Sequence, residues 1–144
     1  MSTYADTSFL VSLYVFDSNS VRAAATLANL PRPILLTPLL QVEISNAFQL
    51  RVFRKDSTAD KIKASSDLFG RDVRAGVFEL KSLGSEVFRQ ASDNAMRRTA
   101  MLGTRTLDLL HVASAIFLRA DVFCTFDRNQ TKLASAEGLK VVIP

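Results

Sequence analysis

Short apolar segments alternate with helical ones along this chain, and that alternation limits its possible folds more than any other feature. Tyr4–Asp6 starts as a strand and Ser8–Tyr14 reads as helix. An alanine-rich helix is expected over Ser20–Leu30, after which Pro31 and Pro33 break the chain. Ile34–Leu36 reads as the second strand. Pro38 suits the first turn of a helix running to about Lys55, and Asp56-Ser57-Thr58 opens a further helix that fades before Gly76. Val77–Leu80 is the third expected strand. Gly84-Ser85 precedes a long helix through about Ala100, and Thr106–Leu118 is helical. Val122–Phe126, β-branched and aromatic, is the fourth strand. The helix Arg128–Ala136 ends at Gly138, a good C-cap, before a last strand at Val141–Ile143. Strands spaced by helices imply an α/β fold with a mostly parallel central sheet covered on both faces. Such sheets place their sites at the carboxyl ends of the strands.

The length of 144 residues suits one domain spanning 1–144, and 48% hydrophobic residues supply a core. Apolar runs are interrupted well before the ~18 residues of a membrane span. The start, Met1-Ser2-Thr3-Tyr4-Ala5-Asp6, has no basic stretch followed by an apolar block, so no signal peptide is expected. A single cysteine, Cys124, lies in an apolar run and is expected to be core; a cytoplasmic protein follows as the expectation. The net charge of +4 is a mild bias toward polyanions. Its placement is more informative: Arg51, Arg54 and Lys55 cluster, as do Arg97, Arg98 and Arg105, and more loosely Arg119, Arg128 and Lys132. Any one cluster reads as a solvated helix face; three together point toward a phosphate backbone.

Four carboxylates carry the chemistry, and each also has a plain structural role open to it. Asp6 follows a strand and is placed to cap the next helix. Asp127 follows Val122–Phe126 with Gln130 three residues on, the pattern of a capping box. Asp108 sits in the first turn of its helix, where the dipole favours it by roughly 0.3–1 kcal/mol, yet it shares the inner stripe with Val112 and Ala115. Glu43 stands among Leu39, Leu40, Ala47 and Leu50 at helical spacings, and a salt bridge with an arginine would be its structural explanation. A carboxylate can cap a helix and bind a metal, so the readings coexist. In a doubly wound sheet the four can meet at one edge. At ~4 Å they repel by about 4 kcal/mol per pair at an effective dielectric near 20, so the cluster needs a divalent cation or trapped protons. All-oxygen ligation favours Mg²⁺ or Mn²⁺ over zinc.

These residues resemble the motifs of PIN domains. Asp6-Thr7-Ser8-Phe9-Leu10 is similar to the opening motif, Val42-Glu43-Ile44 to the second and Leu107–Ala115 to the third. Thr125-Phe126-Asp127-Arg128, followed by Leu133-Ala134 and Gly138-Leu139, is similar to the fourth. The order and spacing cover essentially the whole chain, and within the group the length and wording look most like VapC-type toxins. The resemblance implies a three-layer α/β/α sandwich, Mg²⁺- or Mn²⁺-dependent cleavage of RNA, a homodimer, and silencing by a cognate antitoxin. By position it makes Asp6 and Asp108 the principal metal ligands and Glu43 a ligand or base beside them. Asp127 completes the cluster, Thr125 assists the fourth acid, and Ser8 matches a small polar residue after the first. Many PIN domains carry a further Asp where Asn129 and Gln130 stand here, so a second metal is expected to be held more weakly.

Arg105 and Arg128 flank acidic positions and are the candidate guides for RNA. His111, the only histidine, is expected to pack inside with a hydrogen bond rather than act as a base. Phe9, Phe48, Phe53, Phe117 and Phe123 fall at core-like spacings. A receiver-like domain fits poorly, because no acid follows Ile34–Leu36 and the late strand ends in Asp127 in place of a lysine. A haloacid-dehalogenase-like phosphatase lacks its second acid in Asp6-Thr7-Ser8. The remaining alternatives are a PIN-domain RNA-processing nuclease, or a non-catalytic RNA-binding scaffold, outside a toxin–antitoxin pair.

Overall fold

The computed structural model describes Met1–Pro144. Five short strands form one sheet: β1 (Thr3–Ala5), β2 (Ile34–Leu36), β3 (Phe78–Leu80), β4 (Val122–Cys124) and β5 (Val141–Val142). The order is β3-β2-β1-β4-β5, and every pairing is parallel, where the sequence promised only a mostly parallel sheet. Between them run α1 (Thr7–Tyr14), α2 (Ser20–Leu27), α3 (Pro38–Phe53), α4 (Ala59–Arg74), α5 (Ser85–Leu102), α6 (Thr106–Phe117) and α7 (Arg128–Ala136). Helices α1–α4 pack with one another, and α5–α7 pack among themselves, which gives the two outer layers of an α/β/α sandwich.

Local chemistry sets where the helices begin. Asp6, Thr37, Thr58 and Asp127 are N-caps whose side chains accept backbone N–H groups, and Pro38 opens α3 without wasting a donor. α5 stops at Gly103, whose φ of 63° is a left-handed conformation open to glycine. Strands end sooner than their β-rich sequences imply. β4 stops at Cys124 because Thr125 and Phe126 turn to feed α7, and α2 stops at Leu27 rather than Leu30.

The core lies on both faces of the sheet. Tyr4 stacks on Phe123 at 5.6 Å, and Phe69 joins Tyr14, Phe48 and Phe78 in an aromatic cluster on the α1–α4 side. Phe9, Phe48 and Phe123 are buried as expected. Phe53 and Phe117 are not: each is the last residue of its helix, where the chain has run beyond the sheet, and Phe53 is 82% exposed. No helix is long and apolar enough to cross a membrane.

The chain runs outward from β1 through β2 to β3, then returns across the sheet to β4 and β5. The reversal falls between β1 and β4, and a crevice opens there at the strands' carboxyl ends.

Candidate active site

A cleft of about 350 Å³ lies at this reversal, lined by Asp6, Thr7, Ser8, Glu43, Arg105, Thr106, Leu107, Asp108, His111, Asp127 and Gln130. Asp6 leaves β1 into α1, and its Oδ1 accepts the Phe9 N–H (3.1 Å) and the Ser8 hydroxyl (2.6 Å). Its Oδ2 accepts the Thr125 hydroxyl at 2.5 Å. Burial pushes the Asp6 carboxyl up from its ordinary value, against the hydrogen bonds from Ser8 and Thr125 that favour the charged form. Thr125 Oγ1 also accepts the Asp127 N–H at 2.9 Å, so one hydroxyl ties the ends of β1 and β4 together.

Asp127 caps α7 through Oδ1, which accepts the Asn129 and Gln130 N–H groups at 2.7 and 3.0 Å. That leaves Oδ2 facing the Arg105 guanidinium at 3.2 Å. Arg105 reaches Asp108 as well, with Nε 3.0 Å from Oδ2 and Nη2 3.2 Å from Oδ1. Asp108 is almost fully buried at the start of α6, as its inner-stripe position implied. Arg105 is thus the positive charge between two of the four acids.

Glu43 comes in from α3. Its Oε2 accepts the Thr7 hydroxyl at 2.7 Å and is paired with Nε2 of His111, while no protein group bonds its Oε1. His111 Nδ1 is 2.8 Å from the Tyr4 hydroxyl. Since Glu43 can only accept, the ring proton belongs on Nε2, and Nδ1 accepts from Tyr4. Burial pulls the Glu43 carboxyl upward, but His111, Thr7 and Arg105 together hold it below the ordinary range. The arginine partner that would have explained Glu43 structurally is therefore replaced by a histidine.

The PIN domain family profile matches residues 3–136. The chain belongs to the PIN domain family. Among solved structures, this PIN domain is similar to the Mycobacterium tuberculosis toxin VapC20, described as cleaving the Sarcin-Ricin loop. The TM-score is 0.72 at 19% identity, over 99% of both chains. It is also similar to FitAcB from Neisseria gonorrhoeae (TM-score 0.68, 14% identity, 96% of this chain and 95% of that one). A third similar structure is VapBC2 from Rickettsia felis, bound to a DNA fragment from its promoter (0.68, 14%, 100% and 99%). At these identities the likeness is one of fold. No curated protein sequence matches significantly.

The sequence-derived candidates divide cleanly in this PIN domain. Asp6, Glu43, Asp108, Asp127 and Arg105 all line the cleft, and Thr125 supports it from below. Arg128 does not line it. It points away on α7 and lines a separate hollow with Arg22 and Lys132, because Asp127 takes the cap position and the next residue turns outward. Arg97 and Arg98, grouped with Arg105 in the sequence, clamp Glu137 instead. His111 is buried and hydrogen-bonded, but it also orients Glu43. Thr7 and Gln130 were overlooked; a hydroxyl beside Asp6 at a strand's end was the available signal for the first.

PIN domains with this acid set imply a divalent cation. The donors suit a hard ion, being carboxylate oxygens throughout, and Gln130 adds a buried amide Oε1 that has no hydrogen-bond partner. As the side chains stand, no three Asp, Glu, His or Cys groups are close enough to share one ion, and the Arg105 guanidinium supplies the charge between Asp108 and Asp127.

Proposed function

We propose that this PIN domain is a Mg²⁺- or Mn²⁺-dependent endoribonuclease, the toxin of a toxin–antitoxin pair. The observation that carries the reading is the convergence of Asp6, Glu43, Asp108 and Asp127 on one cleft at the sheet's reversal point. Fold similarity to VapC20 and to VapBC2 supports the toxin assignment, and the complexes among the similar structures support a protein antitoxin as partner. Exposed Phe16, Phe53, Phe88 and Met96 offer apolar surface for such a partner or for a second copy in a homodimer. A cytoplasmic setting accords with the single cysteine and its burial.

Asp6 and Asp108 would be the principal ligands, with Glu43 beside them and Asp127 completing the set. A further ion would be weaker where Asn129 and Gln130 replace acids. Bound there, the ion would lower the pKa of water and draw charge from the phosphate. The protein's own part is positioning and proton handling. Ser8 and Thr125 fix both oxygens of Asp6, so its carboxylate cannot swing away. Thr7 and His111 both hold Oε2 of Glu43, which leaves Oε1 to take a proton from the attacking water. Arg105, two-thirds exposed at the cleft mouth and paired with Asp108 and Asp127, would meet a backbone phosphate once those carboxylates turn to an ion.

The purified protein is expected to cut RNA with Mg²⁺ or Mn²⁺ and to stop in EDTA. Asp6→Asn should lower cleavage by roughly 10²-fold or more, the scale of removing one transition-state interaction. Induced expression should arrest growth for wild type and not for Asp6→Asn. Cleavage undiminished by chelator, or equal arrest by both proteins, would sink the reading; cleavage without arrest would leave a nuclease and remove the toxin.

A further inference from the structure

Two basic hollows lie in series beside the acidic cleft. The first, about 290 Å³, shares Thr7 and Ser8 with the cleft and extends to Arg51 and Arg54 on the end of α3 and to Asn19 before α2. The second, about 430 Å³, begins at the same Asn19 and is lined by Arg22, Arg128 and Lys132. The first hollow adjoins the cleft at Thr7 and Ser8 and the second hollow at Asn19, so the three lie in series from the cleft, around the α1–α2 corner, to α7.

The charge along this path is one-sided. Its hollows hold five cationic side chains (Arg22, Arg51, Arg54, Arg128, Lys132) against one acidic side chain, Asp17, and Arg22 also donates to the Pro144 oxygen at 3.4 Å. Arg51 pairs with Asp17 at 3.3 Å, whereas Arg22, Arg54, Arg128 and Lys132 make no salt bridge. The corner is also firmly built. Asp17 accepts the Ser12 hydroxyl at 3.0 Å and the Asn19 N–H at 2.8 Å. Arg22 lies over the Phe126 ring at 5.3 Å. Two of the three basic clusters in the sequence, which the acidic cleft does not use, meet here from α3 and α7.

Resting on the ribonuclease reading, we infer that an RNA strand leaves the cleft across the α1–α2 corner, its phosphates following Arg51, Arg54, Arg22, Arg128 and Lys132. A run of cations, four of the five without a salt bridge, beginning at the edge of a carboxylate cleft, is what a polyanion needs to be drawn past acids that repel it. The cations meet backbone and not bases, so the path adds affinity without sequence preference.

The test compares two triple variants of the full chain, each without three of its exposed cations. One is Arg54→Gln/Arg128→Gln/Lys132→Gln on the path; the other is Lys61→Gln/Arg74→Gln/Arg89→Gln away from it. Fluorescence anisotropy with a labelled single-stranded RNA in EDTA reads Kd against KCl. The path variant should bind roughly tenfold or more weakly, with a salt slope lower by about 2, near 0.7 for each phosphate no longer neutralised. The control variant should keep its slope. With Mg²⁺, the path variant should raise KM and leave kcat. Equal weakening in the two variants would mean bulk charge and overturn the path, as would no weakening in either. If wild type cuts RNA while both variants behave alike, the path fails and the ribonuclease stands. If wild type binds through the path but never cuts RNA, the path stands and the ribonuclease reading fails.

Discussion

Thr125 carries no charge, yet its hydroxyl donates to Asp6 and accepts the Asp127 N–H, so it holds two acids that lie far apart in sequence. Thr125→Val keeps the shape and removes both bonds, leaving a buried carboxylate oxygen without its donor. It is expected to cost about 1–3 kcal/mol, read as a lower Tm, with Thr125→Ser close to wild type. Asp6 itself works against the fold. Its folded-state pKa is raised by burial, so its contribution is full at low pH and is lost as pH rises through the folded value. In EDTA, Asp6→Asn should therefore melt above wild type at neutral pH, by roughly 2–4 °C per kcal/mol, with the gap closing in acid. A gap that widens in acid would contradict this origin.

At the scale of elements, α5 and α7 are joined by charge at their far ends. Arg97 and Arg98 grip Glu137 at 3.0 and 2.7 Å, and Arg98 also donates to the Ala136 carbonyl, offsetting an acid at the negative end of α7. Although partial burial pulls the Glu137 carboxyl upward, the two arginines hold it below its ordinary range. Its contribution is present above the unfolded value and is lost as pH falls through the folded one. Glu137→Gln should cost about 1 kcal/mol near neutral pH, after screening of the half-exposed arginines, and nothing at low pH. Urea titrations at two pH values check this. Elements were the most legible level: caps at Asp6 and Asp127 and the first-turn Pro38 are local chemistry written in adjacent residues. The Glu43–His111 pair was not legible, because it exists only when α3 and α6 approach over β1. Arg97 and Arg98 misled for the same reason, their partner lying on another helix.

For the whole molecule, the parallel layering and the location of the cleft followed from strand–helix alternation. The strand order did not, since the return from β3 to β4 depends on tertiary packing. One consequence of that order is the depth of Cys124, whose thiol burial pushes up to about 12, with the nearby Asp6 adding to the effect. Native protein is expected to react with a thiol reagent only as fast as it unfolds; rapid labelling at neutral pH would show this layer to be open.

β1 and β4 meet through just three rungs, Thr3 with Val122, Tyr4 with Phe123 and Ala5 with Cys124. Side chains alternate along a strand, so adding or deleting a single residue within either one would turn Asp6 or Thr125 toward the opposite layer. Elsewhere, helix surfaces can change freely so long as an apolar stripe persists. Fewer than one position in five agrees with VapC20 while the fold is shared, so the three-rung register is expected to bear on the cleft more than most individual side chains do; inserting one residue into β1 should abolish the cleft, read as loss of the folded state or of RNA cleavage.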